Sequence, residues 1–367
     1  MEKKTLDIRF AAINERIIDR CPENKVVTGN SNTYAYWGDN NRYPSFLFEL
    51  YSKCSTLQSV INGYADYIVG NGVSSTELER PNPNQDWDEF ITLVSSDYLI
   101  FGIAYIQVVR DNLGRVNSLY WLDCRFCRTD EDNNVIFYNP DFAKNYVRTN
   151  KQLVYPKFMK DAEFPASVMI IKTPFSRNTY GTPIWESAIK DVMVETAITE
   201  FHLSELDNGF NPSAIVNLCN GIPSDENKDE IEKLFTKKFT GQQNAGRFIL
   251  NFSNGKDNAA TIEKLSTDDF DKRYDALAKK TKENIYAALR ANPQLFGNTI
   301  QSGLNDQDYM ESFRIFNRTC IFPIQKRIID GIDKVLGKKG SVTIRPFAIS
   351  FDEEDTTANN NTQTIVN

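Results

Sequence analysis

The chain has 367 residues, of which 41% are hydrophobic and 25% are charged, and its formal net charge is −7 at pH 7. This composition is typical of soluble globular proteins, and the length allows two or three domains with their own cores. The negative charge argues against a protein that coats nucleic acid through its overall field, although a protein that holds DNA briefly and releases it stays possible.

Residues 1–180 have the pattern of a mixed α and β region, which we interpret as a scaffold. Apolar residues recur at helical spacing from about Ser45 to Val69, and the glycines of GNG (70–72) end this helix. A second helix is predicted from Trp87 to Leu99, after the turn and acidic residues of PNPNQD. The runs IAYIQVVR and RVNSLYWL, separated by DNLG, predict a β-hairpin, and VIFY and VMIIK predict further strands.

Longer helices begin at Pro183. A helix of about residues 183–209 is framed by this proline and by Gly209. A small β-α-β block follows, with strands in SAIVNLC and RFILNF, a helix from Ser224 to Phe239, and TIEKLS as a candidate further strand. Ser266 and Asp269 then resemble a capping box that opens a helix reaching about residue 291.

A polar stretch separates that helix from another, predicted over about Asp306 to Leu336. Between Gly297 and Asn305 the stretch carries no charge, and it is longer than a connection between two helices needs to be. Pro323 lies in the middle of the last helix, where it removes a hydrogen bond and predicts a kink. SVTIRPFAISF predicts a closing pair of strands, and the acidic, then polar residues 353–367 predict disorder.

The two helices that flank the small block carry opposite charges. Acids dominate residues 183–209 and include Glu195 and Glu200, whereas the later helix is basic after its first turn, with Lys279, Lys280 and Lys282 among its cations. We expect the two helices to run antiparallel and to pair through these charges. The alternative is two solvated faces, on which an exposed ion pair contributes only about 0–1 kcal/mol.

Residues that could form a catalytic site are few. His202 is the single histidine and has no nucleophile motif nearby, so we expect it to be structural or solvent-facing. Cys124 and Cys127 form CRFC without a second pair or a histidine to complete a zinc site, and we interpret them as packed or idle thiols. No GxxxxGK[ST] phosphate loop occurs. We therefore predict no catalytic residue, no metal and no cofactor.

The sequence also predicts the cellular compartment of the protein. The N-terminus MEKKTLDIRF lacks an apolar h-region, so we expect no signal peptide. No apolar run approaches the length of a membrane-spanning helix, and we expect no membrane partner. Six scattered cysteines are typical of reduced thiols in a cytoplasm.

Several motifs, in their order along the chain, resemble the portal proteins of tailed bacteriophages. YGTPIWESAI is similar to the Tyr-Gly-x-Ser/Pro start of that family's first stem helix, and NGFNPSAIV to its Asn-Gly-x-x-Pro exit into a strand. ALRANPQLFG resembles the stretch that ends in Val-Pro-x-x-Leu-Leu-Gly, without the usual Gly-Val, and FNRTCIFPIQKRI resembles the Thr-x-x-x-Pro helix that follows. YLIFGIAYIQVV is similar to the Gly-Asn-Ala-Tyr strand, with Ile103 in place of Asn. The resemblance covers about residues 45–350.

The resemblance implies an α+β portal fold. Its parts would be a mixed α/β wing (1–180, with returning strands at 341–352), a two-helix stem (183–209 and 267–291), a small α/β clip (211–266), a tunnel-loop region (292–305) and a kinked tunnel helix (306–336). Pro323 would make the kink, and the charges named above would be stem contacts. The residues projecting toward passing DNA would be Gly297, Asn298, Thr299, Ile300, Gln301, Ser302, Gly303, Leu304 and Asn305.

The resemblance also implies a function. The chain would form a ring, a dodecamer in the family, at one capsid vertex of the virion, through which viral double-stranded DNA is packaged and ejected without sequence specificity. A loop with no Lys or Arg forms no fixed phosphate contacts and lets a polyanion slide. The implied partners are other copies, the terminase motor, a head–tail adaptor, and the major capsid and scaffolding proteins, with assembly in the host cytoplasm.

Two other classes of protein remain as alternatives at this stage. Carboxylates are plentiful, so the chain could be a phage metal-dependent nucleic-acid enzyme such as a nuclease. It could also be a capsid or adaptor scaffold protein that forms no ring. A divalent-metal activity assay separates the enzyme from the portal, and images of the purified protein separate the ring from the scaffold.

Overall fold

The computed structural model describes residues 26–27, 34–144, 152–160, 164–174, 176, 179–208, 214–218, 248–252, 268–297 and 306–347. The chain divides into two compact units. The first unit consists of residues 1–51, 61–184 and 294–367, and the second consists of residues 52–60 and 185–293. Both units contain helices and strands, so the α+β class predicted from the sequence is confirmed. The finer division into wing, stem, clip and tunnel helix remains a prediction.

The elements follow one another as a mixture of helices and short strands. In chain order, the described helices are α1 (Tyr43–Lys53), α2 (Ser55–Val69), α3 (Trp87–Phe101), α4 (Ile189–Asn208), α5 (Asp268–Ala288), α6 (Asp306–Phe316) and α7 (Phe322–Leu336). The described strands are β1 (Val26–Val27), β2 (Tyr34–Ala35), β3 (Val73–Ser75), β4 (Ile103–Arg110), β5 (Val116–Leu122), β6 (Cys127–Thr129), β7 (Val135–Tyr138), β8 (Leu153–Pro156), β9 (Ala166–Lys172), β10 (Ala214–Leu218), β11 (Phe248–Phe252) and β12 (Val342–Ile344).

The core of the first unit surrounds an antiparallel sheet in the order β5-β4-β9. Five of the eight residues of the middle strand β4 are buried, and its Tyr105 stands opposite Leu122 of β5 and Ile170 of β9. Helix α3 packs on β4, and helix α7 packs on β9. A second antiparallel sheet has the order β6-β7-β8, and β12 pairs with β3. The four consecutive residues 103–106 at the start of β4 are buried, so both faces of the strand are covered there.

Most elements predicted for the first unit are confirmed. The hairpin around DNLG is β4-β5, and VIFY and VMIIK form β7 and β9. The helix after PNPNQD is α3, whose N-cap Asp86 accepts the backbone N–H of Glu89 at 2.8 Å. The short strands β3, β6 and β8 were not predicted, since each has only three or four residues and carries little periodicity.

The single helix predicted from about Ser45 to Val69 is wrong, because the structure has two helices, α1 and α2, separated at Cys54. Cys54 occupies the N-terminal end of α2, where its carbonyl accepts the N–H of Gln58 at 3.0 Å. The side chains of Ser55 and Thr56 donate to a carboxylate of the second unit, Glu195, instead of continuing a helical surface. Apolar periodicity continues through the break, which is why it did not reveal the new start.

In the second unit, helices α4 and α5 run antiparallel, as predicted. Asp191 accepts from Asn284 at 2.8 Å near one end, and the rings of Phe201 and Tyr274 stack with centroids 5.2 Å apart near the other. A short 3₁₀ turn, Glu186–Ala188, precedes α4, so this helix begins later than residue 183. Helix α5 ends at Ala288 rather than at about residue 291.

The predicted stem charges have other neighbours within this unit. Glu195 accepts from Thr56 at 2.7 Å, and Glu200 lies 3.7 Å from Lys53. Lys280 pairs with Glu283 of its own helix at 3.7 Å. Lys279 and Lys282 are exposed. Pairing of these charges between copies of the chain remains a prediction.

The small block between α4 and α5 contains the predicted strands in SAIVNLC and RFILNF. They are β10 and β11, which pair in parallel with Ala214 opposite Phe248. A parallel pair needs a crossover connection, which agrees with the predicted β-α-β order. The predicted helix from Ser224 to Phe239 and the candidate strand in TIEKLS lie outside the described residues.

The helix predicted over 306–336 is interrupted by a π-helical turn, Asn317–Ile321, between α6 and α7. The backbone N–H of Phe322 reaches the carbonyl of Asn317, and Pro323 lies in the first turn of α7. Proline and π-helical turns are both causes of helix bending, so they support the predicted kink. Of the closing pair of strands, β12 is described; AISF and residues 353–367 lie outside the described residues. Within the described part of the chain, no helix has the length and apolar character to cross a membrane.

Candidate functional site

The predicted functional loop, residues 297–305, begins at Gly297. A short 3₁₀ helix, Pro293–Phe296, leads to this glycine, which is exposed and has a φ of 77°. A left-handed φ of this kind suits glycine and ends the helical turn. Residues 298–305 lie outside the described residues, and α6 follows them at Asp306. The structure therefore describes how both ends of the loop are held.

Five rings hold the two ends against α2, and we call them the aromatic anchor: Tyr64, Tyr67, Phe296, Phe313 and Phe316. Phe296 precedes the loop, Phe313 and Phe316 follow it, and the two tyrosines belong to α2. The centroid of Phe316 lies 5.0 Å from that of Tyr64 and 5.6 Å from that of Phe296. Tyr67 lies 6.0 Å from Phe296 and 5.7 Å from Phe313. Edge-to-face pairs at these distances add about 0.5–1.5 kcal/mol each to area burial.

A glycine of α2 makes the close packing of Phe296 possible. A Cβ placed on Gly63 would lie 2.7 Å from Cδ1 and 2.8 Å from Cε1 of Phe296. No carbon side chain fits at this distance, so the ring rests on the bare helix backbone. Gly63 precedes Tyr64, which stacks on the same ring with centroids 5.8 Å apart. Gly63 and the two tyrosines thus form a receptor for the residue before the loop.

Tyr67 connects the anchor by hydrogen bonds as well as by its ring. Its hydroxyl donates to the carbonyl of Leu295 at 3.1 Å. Burial, followed by the neighbouring Tyr309 of α6, raises the pKa of Tyr67 to about 12. The phenol therefore stays neutral and remains a donor at any physiological pH. One side chain of α2 thereby interacts with residues on both sides of the loop.

The C-terminal end of α2 is held in turn by α7. The Gln325 side chain donates to the carbonyls of Tyr67 at 3.3 Å and of Ile68 at 2.9 Å. These are carbonyls of the last helical turn, which lack partners within their own helix. The ring of Phe347, behind β12, lies 5.4 Å from that of Tyr67. Because α2 is fixed at this end, the site can hold the two ends of a long polar loop together.

Sequence reasoning identified the loop but not the anchor. Tyr64 is one of the apolar residues at helical spacing in the helix predicted from about Ser45 to Val69, and nothing in that pattern assigns a role to Gly63 or Tyr67. The sequence signal for the anchor is Gly63 itself, a glycine within a helical pattern. Such a glycine lowers helix stability, and it is often present because another part of the chain packs closely against it. The partner of that glycine is 233 positions away in the chain, so the sequence did not reveal it.

The other candidate residues lie apart from the loop. His202 is exposed and its ring lies 5.9 Å from that of Tyr274, in agreement with a structural or solvent-facing role. Cys124 and Cys127 are fully buried, and burial raises both thiol pKa values well above the usual range. They are therefore packed, protonated thiols, as predicted. Among the described residues, no group of three or more His, Cys, Asp or Glu side chains could hold a metal ion.

Comparison with known proteins decides the family. The family model described as "Phage portal protein" matches residues 68–366, which is most of the chain. The chain belongs to the phage portal protein family. The matched residues include α3, both three-stranded sheets of the first unit, the second unit from α4 on, the loop and the two helices after it.

Individual relatives of this portal protein indicate the same family. The probable portal protein of Escherichia phage P2 is 23% identical over 291 residues, which cover 79% of this chain and 78% of the relative. A protein of Rickettsia bellii is 25% identical over 278 residues, covering 74% of this chain and 68% of the relative.

Solved structures share the portal fold. A chain from the virion of a native gene transfer agent particle aligns with a TM-score of 0.56 at 17% identity, covering 92% of this chain and 88% of that one. A chain from the neck of that particle, computed with C12 symmetry, aligns with a TM-score of 0.54 over 92% of this chain and 89% of its own length. The portal protein and the α+β portal fold expected from the sequence are thereby confirmed.

Proposed function

We propose that this portal protein assembles into a closed ring of twelve copies that forms the DNA channel at one vertex of a virion. The match of the portal family model to residues 68–366 carries this proposal. The shared fold with a gene transfer agent neck chain, whose particle was computed with C12 symmetry, supports the number twelve. Portal proteins are structural, and we propose that this chain has no enzymatic activity.

We also assign the parts of the ring to elements of the two units. We assign the stem to α4 and α5, which run antiparallel in the second unit, and the clip to the residues between them. The wing is the first unit up to residue 180 with β12, and the tunnel helix is α6 together with α7. Glu195, Glu200, Lys279, Lys280 and Lys282 belong to the stem.

The loop 297–305 faces the channel and contacts DNA that passes through it. The aromatic anchor supports this assignment, because it holds both loop ends on one helix while the loop residues themselves offer little to a core. The loop contains no Lys or Arg. A double helix can therefore slide past it without fixed phosphate contacts, and no base is read.

The remaining partners belong to virion assembly. A terminase motor and a head–tail adaptor bind the clip in succession, and the wing faces the major capsid and scaffolding proteins during assembly in the host cytoplasm. A chain in which a short linker replaces residues 222–264 tests the clip assignment. It is expected to form a soluble ring that does not support packaging, and normal packaging by this variant would contradict the assignment.

The ring itself is tested by negative-stain imaging of the purified full-length chain, with native mass spectrometry to count copies. Closed rings with a central channel are expected. Open filaments, or monomers at every concentration tried, would overturn the ring. Adding Mg²⁺ or Mn²⁺ with double-stranded DNA in the same preparation serves as the control for the nuclease alternative, and cleavage by the pure protein would favour that alternative.

A further inference from the structure

A cationic groove runs along the first unit between β9 and α7. Two cavities of about 620 and 350 Å³ form it, and they share Met169, Ile170, Asp330 and Lys334 in their walls. The groove exists because α7 lies directly on β9. A Cβ on Gly331 would be 2.9 Å from Cδ1 of Ile171, so this glycine lets the helix backbone approach the strand.

Eight Lys or Arg side chains line the groove, against two carboxylates. Both carboxylates are already engaged. Asp330 pairs with Lys326 at 2.7 Å, and Asp333 accepts the backbone N–H groups of Gly340, Ser341 and Val342 after the end of α7. Among the described residues, no carboxylate lies within 4.0 Å of the amines or guanidinium of Lys157, Lys160, Arg327, Lys334 and Lys339.

The crowding of positive charge affects the titrating groups of the groove. Burial, followed by repulsion from Lys157, lowers the pKa of Lys172. The hydrogen bond and charge of Lys326, with Lys339 and Lys334 behind them, lower the pKa of Asp330. Neighbouring cations thus lower the pKa of Asp330 and add to the effect of burial on the pKa of Lys172. A ligand that brings carboxylates to the Lys and Arg side chains at the rim of the groove would relieve the repulsion between these cations.

The floor of the groove is apolar. Phe158, Met169 and Ile170 line the larger cavity and are half-buried. A phosphate backbone has no apolar group to cover such a floor. A peptide that combines apolar residues with consecutive acids can cover the floor and neutralise the rim together, so the chemistry favours an acidic peptide over nucleic acid.

This chain carries such a peptide directly after its last described residue. Residues 348–355 read AISFDEED, with Ile349 and Phe351 followed by Asp352, Glu353, Glu354 and Asp355. The segment lies outside the described residues. The described chain ends at Phe347, whose ring packs on Tyr67, and the carbonyl of Tyr67 accepts from Gln325 of α7. The tether therefore begins next to Tyr67 of α2, which the first turn of α7 contacts.

The length of the tether sets how far the acidic segment can extend. Asp352 is five residues beyond Phe347 and Asp355 is eight beyond it, so an extended chain places them up to about 17 and 27 Å away. A short tether also raises the local concentration of the segment to the millimolar range, which favours the segment of the same chain over one from another molecule.

We propose that the acidic segment 352–355 docks in the groove between β9 and α7 of its own chain, with its carboxylates on Lys334, Lys339 and their neighbours and the preceding apolar residues on the floor. The docked segment neutralises the cations and keeps polyanions, including DNA, away from this face of the first unit. Neither the ring nor the channel loop is needed for this docking.

Carbodiimide cross-linking of the full-length chain, followed by mass spectrometry, tests the docking, because this reagent joins an amine to a carboxylate only when they are in contact. Amide links from residues 352–355 to Lys334 or Lys339 are expected. The Lys334→Gln/Lys339→Gln variant, in which both altered residues are exposed, lacks these amines and cannot form the links, so it checks the assignment of the cross-linked peptides. The matched Arg80→Gln/Arg115→Gln variant removes the same charge from exposed positions outside the groove and should retain the links. Absence of the links in the wild-type chain would overturn the proposal.

A co-expressed pair of variants separates the same chain from a neighbouring one. One partner has Asp352, Glu353, Glu354 and Asp355 replaced by the corresponding amides, and the other carries Lys334→Gln/Lys339→Gln. Neither chain then contains both halves of the contact, so no link is expected in the mixture. A link between the acidic segment of one chain and the groove of the other would overturn docking within one chain.

Discussion

The ring of Phe296 rests on the backbone of Gly63, and a Cβ at that glycine would lie 2.7 Å from Cδ1 of Phe296. This contact joins the residue before the channel loop to the middle of α2, while Phe316 from the far side of the loop packs on Phe296 at 5.6 Å. The three elements are far apart in the chain. Their meeting holds the residues before and after a long polar loop at one place.

Gly63→Ala is expected to destabilise the portal chain. The added methyl overlaps Phe296 and either displaces the ring or strains α2, which costs about 1–3 kcal/mol for overpacking in a core. Urea unfolding of the monomeric or dissociated chain measures the loss. Ser59→Ala, at an exposed position of the same helix, is the control and should change stability little.

A double variant tests whether the loss of stability arises from the contact between Gly63 and Phe296. In Gly63→Ala/Phe296→Ala the ring that would overlap the new methyl is gone, so the cost of the glycine substitution should fall toward zero. Equal costs of Gly63→Ala in the presence and absence of Phe296 would show that the two residues are not coupled.

Tyr67→Phe is expected to lower the free energy of unfolding by about 0.5–1.5 kcal/mol, because the hydroxyl no longer donates to Leu295. Its effect should also depend on pH. Burial raises the pKa of Tyr67 to about 12 in the folded chain, from the ordinary tyrosine value of 10.0. A raised pKa gives stability that is complete below pH 10 and is lost as the pH rises through 12.

The wild-type chain should therefore lose its advantage over Tyr67→Phe between pH 10 and 12. Unfolding curves of the two chains at pH 8 and pH 11 measure this difference directly, and other buried tyrosines cancel in the comparison. A difference that is constant across this range would show that the phenol is not held neutral by its surroundings.

Glu195→Ala is expected to destabilise the start of α2. The carboxylate is 7% exposed, and it accepts from Thr56 at 2.7 Å and from Ser55 at 3.3 Å. Removing it leaves donors without their acceptor, at about 1–3 kcal/mol, and removes a negative charge from a helix N-terminus. Glu195→Gln keeps an acceptor and should cost less.

The control is Glu200→Ala on the same helix. Glu200 and its partner Lys53 are about half exposed, with side-chain exposures of 48% and 47%, so that pair is expected to contribute only about 0–1 kcal/mol. Equal losses at positions 195 and 200, measured by thermal unfolding, would contradict a special role for the buried carboxylate.

Replacing Thr299, Gln301 and Asn305 with Lys is expected to slow DNA packaging, because the ring would then present phosphate-binding groups to the double helix. The drag should grow as salt falls. Asn112, Leu113 and Asn117, exposed at or beside the β4-β5 turn, offer a matched control for the same three substitutions. Normal rings with unaltered packaging speed and salt dependence would show that the loop does not face the channel.

Reversing Lys279, Lys280 and Lys282 to Glu is expected to weaken ring assembly. The effect should be greatest at low salt, since the screening length grows from about 10 Å at 0.1 M to about 30 Å at 0.01 M. The yield of rings in size-exclusion chromatography at the two salt concentrations is the measurement. An unchanged yield at low salt would remove charge pairing from the account of the stem, while the portal family would stand.

Local pattern determined most elements of this protein. The hairpin β4-β5, helix α3 with its Asp86 cap, and the order of long helices and loop all follow from periodicity and from turn residues that act on near neighbours. The same order of motifs indicated the portal family. Interactions between residues close in sequence are sufficient to predict these elements, because each signal lies within one element.

The tertiary structure alone decided the rest. The break at Cys54 depends on Glu195, which lies 141 positions away in the chain, and the function of Gly63 depends on Phe296. The groove likewise brings Lys157 of one segment beside Lys334 of another. Such contacts arise when the elements pack, and no periodicity along the chain encodes which distant residues will meet.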